Sequence, residues 1–298
     1  MTDQLTFDDP RTRFPSIDPP TDQIQDATGQ QSKMTPVPDL GESTYRGTGR
    51  LAGRKALVTG GDSGIGGATA IAFAREGADV AIVHLAAEQS DADHVLEQIR
   101  AAGGTGVSIP GDLTDPVFCR AAVMRAHEAL GGLDALALVA GKQVTSKDLT
   151  ELPDEQFVET YEVNVFAAFR IVQAAVPLLP PGSTIVLTAS LETYQASPER
   201  IDYASTKAAI NNLGKGMAQQ LAEKGIRVNI VAPGPTWTAL QVSGGIPAEE
   251  IEGYGSDTPL GRAAQPAELA PAYVFFSSPE SSFVVGATLA VNGGTPTP

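Results

Sequence analysis

A single cysteine, Cys119, among 298 residues leaves no possibility of an intrachain disulfide or a cysteine zinc cluster. That scarcity fits a reducing, cytoplasmic setting, and packing within a helix is the expected role of Cys119. Positive charge is also scarce: 20 Lys and Arg stand against 35 Asp and Glu, a formal net charge of −15. Such a surface repels nucleic acid and anionic lipid, so neither is an expected partner. No apolar run is long and uninterrupted enough for an ordinary membrane span. The start, MTDQLTFDDP, is acidic and polar, unlike a secretory signal. Of three histidines, His94 and His127 fall on predicted helices and His84 ends a predicted strand. No metal-ligand spacing emerges, and no metal is expected. What the chain does have is apolar material, 42% of its residues, enough for a full core.

Residues 1–50 are rich in Pro, Asp, Gln, Thr and Gly and lack a sustained apolar period. Two readings stay open for them. One is a disordered tail. The other is an extended arm lying on its own domain or on a neighbouring subunit, anchored by Phe7, Phe14, Ile17, Leu40 and Tyr45. From Lys55 onward, short apolar runs alternate with helix-length segments. Residues 55–59, 79–83, 106–110, 134–139, 184–188, 226–231 and 287–291 read as strands. Residues 64–76, 89–102, 116–130, 154–179, 201–223 and 266–277 read as helices. Alternation of this kind implies parallel strands with right-handed crossovers, and unalternated apolar strands imply a sheet covered on both faces. The expected fold is α/β: one domain over residues 51–298, a Rossmann-type doubly wound parallel sheet in a three-layer α/β/α sandwich.

The first strand runs into Thr59-Gly60-Gly61-Asp62-Ser63-Gly64-Ile65-Gly66-Gly67, which opens a helix. Glycines permit a tight turn and close approach of backbone to a pyrophosphate. The helix N-terminus supplies free N–H groups and partial positive charge. Gly60, Asp62, Ser63, Gly64, Ile65 and Gly66 are therefore candidate dinucleotide contacts. The spacing Gly-x-x-x-Gly-x-Gly differs from the tighter Gly-x-Gly-x-x-Gly. It resembles the short-chain dehydrogenase/reductase family.

Residues far along the chain extend the resemblance. Tyr203-Ala-Ser-Thr-Lys207 matches the family's Tyr-x-x-x-Lys, Ser190 lies thirteen residues before the tyrosine, and Asn164 sits within a long predicted helix. The chemistry accounts for these residue types. Residues four apart share a helix face, so the Lys207 ammonium can lie near the Tyr203 phenol. A nearby positive charge lowers a phenol's pKa, and Tyr203 is then expected to exchange a proton near neutral pH as general acid/base. Ser190 would hydrogen-bond the substrate oxygen as negative charge develops there. The resemblance implies further that Lys207 binds the nicotinamide ribose and that Asn164 supports a water in a proton relay. It places Asp112 and Leu113 at the adenine, Ala140 and Gly141 beside the cofactor, and Pro233, Gly234, Thr236 and Thr238 near the nicotinamide and pyrophosphate. Leu138 and Val139 replace two asparagines of the family pattern. The glycine loop, the extension and Pro233-Gly-Pro-Thr-Trp-Thr238 are similar to the bacterial stress-associated aldehyde/carbonyl reductase subgroup.

NAD-specific proteins place an acid at the end of the second strand to hold the ribose hydroxyls. Here that position is His84, followed by Leu85, so NADP(H) is favoured over NAD(H), with use of both open. Residues 237–262 form a candidate substrate lid, and Trp237 is read as lining the substrate pocket. By the same resemblance the protein is expected to be a homotetramer built through the helices of Asn164 and Tyr203 and the last strand. The leading reading is an oxidoreductase passing hydride between nicotinamide and a small carbonyl or alcohol. Its rival is a dinucleotide-binding sensor or scaffold with little turnover.

Overall fold

In the computed structural model, residues 3–17, 19, 23–25 and 28–297 are described. Among them, seven parallel strands form one sheet: β1 (Lys55–Thr59), β2 (Asp79–His84), β3 (Gly106–Pro110), β4 (Ala135–Leu138), β5 (Thr184–Thr188), β6 (Arg227–Pro233) and β7 (Thr288–Val291). Their order is β3-β2-β1-β4-β5-β6-β7. Leu57 of β1 stands between Ala81 of β2 and Leu136 of β4. The order reverses between β1 and β4, and a crevice opens there at the carboxyl ends of the strands.

The helices are α1 (Gly64–Arg75), α2 (Gln89–Ala101), α3 (Pro116–Leu130), α4 (Asp154–Tyr161), α5 (Ala167–Ala175), α6 (Ile201–Ala222) and α7 (Pro266–Ser277). Local chemistry sets their ends. Asp115 caps α3 by accepting from the Val117 N–H, with Pro116 at the first helical position, and Gly131 closes it in the left-handed conformation. The single helix expected over 154–179 is interrupted. A π turn, Glu162–Phe166, separates α4 from α5. Such turns insert one residue and re-aim side chains, here Asn164. The helix also stops at Ala175, ahead of Pro177 and the Pro180–Pro181 pair, which cannot supply helical N–H groups.

Two cores flank the sheet. On one face α3, α5 and α6 bury Ile171, Ile210 and Leu221 against Leu136, Ile185 and Leu187. Cys119 is fully buried there, donates to the Leu113 carbonyl, and has its thiol pushed up to about 11 by that burial. On the other face α1, α2 and α7 bury Ile71, Phe73, Ile99, Tyr273 and Phe276 against Ala56, Val58 and Ile82. Each fully buried side chain of this size contributes about 1.5–3 kcal/mol relative to exposure.

The N-terminal segment packs on this second face. Leu40 and Tyr45 enter the α1–α7 core. Ile17 and Met34 join Trp237, Val242, Ile246 and Ile251 in a third cluster. Phe14 is buried and lies under the Arg262 guanidinium, whereas Phe7 is fully exposed. Glu76, beyond the end of α1, has no exposed side-chain surface and accepts from Tyr45 Oη (2.7 Å), Thr48 N (2.8 Å), Arg50 N (3.0 Å) and the Arg50 guanidinium (2.7 Å). Burial opposes its charge, but the hydrogen bonds from Arg50 and Tyr45 outweigh it and hold the carboxyl at about 2.

Trp237 does not face the substrate pocket. It is fully buried, and its Nε1 donates to the Pro36 carbonyl at 2.8 Å. The arm covers the indole, so the ring packs instead of lining a cavity.

Candidate active site

A cavity of about 370 Å3 opens at the carboxyl ends of the strands. It gathers residues dispersed over most of the chain. The β1–α1 loop contributes Gly60, Asp62, Ser63, Gly64, Ile65 and Gly66, and the end of β2 gives His84 and Leu85. Asp112 and Leu113 follow β3, Ala140 and Gly141 follow β4, and Ser190 follows β5. Tyr203 and Lys207 project from α6, and Pro233, Gly234, Thr236 and Thr238 complete the wall after β6. Asn164 does not line this cavity; it lies behind it, 4% exposed.

The glycine loop fits a diphosphate. Gly60 and Gly64 have left-handed φ values of 62° and 49°, where a side chain would be strained. A Cβ on Gly66 would come 1.9 Å from the Gly60 carbonyl oxygen. The loop can close this tightly only with glycine, and it presents the first turn of α1 to the cavity. The N–H groups that open that turn, ahead of Gly67, have no intrahelical acceptors, which is the donor set an anionic diphosphate needs. One of them is engaged from the arm: Gly64 N donates to Gln31 Oε1 at 2.8 Å, and Gln31 is itself buried. Thr28 and Gly29 line the same cavity.

The end of the cavity expected to carry acid/base chemistry is built on α6. Tyr203 and Lys207 share a helix face, with Lys207 Nζ 5.3 Å from the phenol ring centroid. Lys207 Nζ donates to the Thr188 carbonyl at 3.0 Å. Burial lowers the ammonium to about 8. Burial also pushes the Tyr203 phenol up to about 12, while its hydrogen bond with Ser190 pulls the other way. The lowered phenol pKa expected from the Tyr–Lys spacing is thus not a property of this site: desolvation of the phenolate outweighs the Ser190 hydrogen bond. The phenol is protonated across the neutral range.

Asn164 is a strut. Its Oδ1 accepts from Lys142 N at 2.7 Å, and its Nδ2 donates to the Lys142 carbonyl and to Thr206 Oγ1. Both amide hydrogens are spent on protein, so the side chain fixes the loop after β4 to α6 and has no donor left for a relay water. The π turn lets it reach both. Thr59 braces the segment that carries Leu138 and Val139. Its hydroxyl accepts from Val139 N at 3.0 Å and Ala140 N at 3.2 Å, tying β1 to the β4 loop.

Two contributors escaped the sequence reading. Glu88, on the 3-10 turn Ala86–Glu88 after β2, lines the cavity and accepts from Leu85 N at 2.9 Å. Gln31 belongs to the arm, and no motif marks it. The only signal for Glu88 was an acid three residues beyond Leu85, a spacing that permits a side chain to fold back onto the turn's first amide.

A doubly wound parallel sheet, a glycine loop at a helix N-terminus and a Ser–Tyr–Lys group converging on one cavity define a nicotinamide-dinucleotide oxidoreductase. The chain belongs to the short-chain dehydrogenase/reductase family: residues 60–296 match the family model described as enoyl-(acyl carrier protein) reductase. It is 57% identical to the uncharacterized oxidoreductase YghA of Escherichia coli, over 96% of this chain and 97% of that protein. It is 37% identical to the chloroplastic NADPH-dependent aldehyde reductase 1 of Arabidopsis thaliana, over 89% and 94%. Among solved structures it resembles a short-chain dehydrogenase from Burkholderia cenocepacia in complex with NADP. That match has TM-score 0.76 and 36% identity, covering 82% of this chain and 98% of the other. The protein is an NAD(P)-dependent enzyme acting on CH–OH and C=O groups. Among the described residues no helix is long and apolar enough to cross a membrane, and no group of His, Cys, Asp and Glu could hold a metal.

Proposed function

We propose that the protein works as a carbonyl reductase on small aldehydes or ketones, with Tyr203 as proton donor, Ser190 as oxyanion partner and Lys207 and Asn164 as their support. The convergence of Ser190, Tyr203 and Lys207 on the cavity that holds the glycine loop carries this reading. When bound, the nicotinamide supplies the hydride. The substrate oxygen lies between the Ser190 hydroxyl and the Tyr203 phenol, which share a hydrogen bond before it arrives. As negative charge grows on that oxygen, Ser190 donates a hydrogen bond and Tyr203 delivers its proton. Lys207, protonated below about 8, steadies the phenolate that forms. Asn164 keeps the β4 loop against α6 so that these groups stay in register. The reverse path oxidises the corresponding primary or secondary alcohol. The name of the Arabidopsis relative supports aldehydes as substrates. The NADP of the Burkholderia structure supports a dinucleotide here, and NADP(H) and NAD(H) share all but one phosphate.

In this reading residues 1–50 are an arm that braces the domain of residues 51–298, and 237–262 form the lid over the substrate. The working unit is a homotetramer in the cytoplasm. Exposed Phe157, Phe166 and Phe169 on or beside α4 and α5, and exposed Phe283, Val285 and Leu289 around β7, support two such interfaces.

The test is oxidation of NADPH and NADH in parallel by the purified chain over aldehydes, ketones and diketones. Turnover should fall at least ~10³-fold in Tyr203→Phe while cofactor binding is kept. Cofactor binding without turnover on any substrate would favour the sensor instead.

A further inference from the structure

We infer that Glu88, together with Asp62, selects NAD(H) against NADP(H) by holding negative charge at the place where the 2′-phosphate of NADP(H) must be received. The inference rests on reading the cavity as a dinucleotide site. In doubly wound folds the end of the second strand receives the ribose hydroxyls of the adenosine half. In this chain that end is His84 and Leu85, which is why the lack of an acid at 84 pointed to NADP(H). The fold supplies the acids from elsewhere.

Four observations agree. Glu88 and Asp62 both line the cavity beside His84 and Leu85. The backbone donor there is taken, because Leu85 N already donates to Glu88 Oε2 at 2.9 Å. His84 is also taken: Nδ1 contacts the Leu85 carbonyl at 2.8 Å, so it must be the donor, and Nε2 contacts Ser108 Oγ at 2.8 Å. The ring is 3% exposed, and both of its nitrogens have partners within the protein. Finally, no arginine is among the described residues lining the cavity. Its lysines are Lys207, beside Tyr203, and Lys142, after Gly141, whose Nζ is paired with Glu159 at 2.5 Å.

The electrostatics of the pocket point the same way. Burial, then the charge of Asp62, then that of Asp91, push Glu88 up to about 7. Burial raises Asp62 as well. Asp91 is already spent on the arm, accepting from Gln31 N and Ser32 N. Above about 7 Glu88 is ionised, and its charge then opposes a phosphate in the same place. A ribose hydroxyl meets the opposite treatment, since it can donate to the Glu88 oxygen not facing Leu85. Selection here therefore combines one attractive contact with one repulsion.

The test is equilibrium binding of NADH and NADPH to the full chain at pH 8, read from cofactor fluorescence, for the wild type, Glu88→Gln and Glu88→Lys. NADH should bind at least ~10-fold more tightly than NADPH to the wild type. Glu88→Gln should shrink that ratio several-fold, and Glu88→Lys should invert it. Thermal melting identifies the folded variants; if neither folds, the wild-type ratio and Asp62→Asn decide. NADPH binding as tightly as NADH, or a ratio unchanged in the folded variants, overturns the selection and leaves the dinucleotide site standing. Binding of neither cofactor overturns both readings.

Discussion

Replacing Glu76 by glutamine should cost this protein about 3 kcal/mol. The carboxylate is held at about 2 against an ordinary value of 4.5. At about 1.4 kcal/mol per pH unit, its partners stabilise the charged form by roughly that amount. Mutational experience with buried ion pairs gives a similar loss, about 3–5 kcal/mol, when one partner is removed. Glutamine keeps one acceptor oxygen but turns an NH2 group toward Tyr45 Oη and the Arg50 guanidinium, and Arg50 is left with only its longer pairing to the exposed Glu280 at 3.7 Å. For a chain of this length the unfolding entropy is about 0.6 kcal/mol/K, so the melting temperature should fall by about 5 °C at pH 7. The pH dependence has a definite sign. A depressed carboxyl contributes stability that is complete above pH 4.5 and lost as pH falls toward 2. The gap between wild type and Glu76→Gln should therefore close across that window. Differential scanning calorimetry at pH 7 and at several acidic values reads both effects. A variant that melts within about 1 °C of the wild type at pH 7 would refute the view that this carboxylate pins the arm.

Three further outcomes follow from the site. The reduction rate should stay level below about pH 8 and fall as pH rises through it, as Lys207 loses its proton; a rate level to pH 10 in a stopped-flow profile would contradict the role given to that charge. Gly66→Ala should weaken dinucleotide binding at least ~10²-fold in a fluorescence titration, because its Cβ would overlap the Gly60 carbonyl oxygen and force the loop open. Thr59→Val should cost about 1–3 kcal/mol in denaturant unfolding, since two loop amides lose their acceptor; an unchanged midpoint would mean that the loop finds its brace elsewhere.

Much of the molecule was legible because local chemistry repeats along the chain. Strands such as KALVT and TIVLT have unalternated apolar centres, Ala56-Leu57-Val58 and Ile185-Val186-Leu187, as a doubly covered sheet demands, and their ends agree with the structure. The glycine loop announces itself because its backbone admits few other residues. Glu88 was hidden for a different reason. Whether a carboxylate after a strand faces solvent or folds back into a cavity depends on a three-residue turn, which no periodicity encodes. Trp237 was misjudged because its environment is supplied by Pro36, 201 residues earlier. The phenol pKa inferred from Tyr–Lys spacing omitted burial, which only the packed site reveals. The π turn escaped because residues 154–175 look like one continuous helix in composition.

The route of the arm also bears on how the chain acquires its structure. Segments within residues 10–45 emerge early in synthesis, yet their seats lie on Gly64, Glu76, Asp91, Trp237, Arg262 and Gln265. Contacts of such separation form late, after the intervening chain has been ordered. Until then Ile17, Met34, Leu40 and Tyr45 have nowhere to bury, and they are the apolar surface a nascent or refolding chain would show to its neighbours. Refolding yield should thus depend on protein concentration through the arm's apolar residues, even though the domain they join already encodes its own sheet.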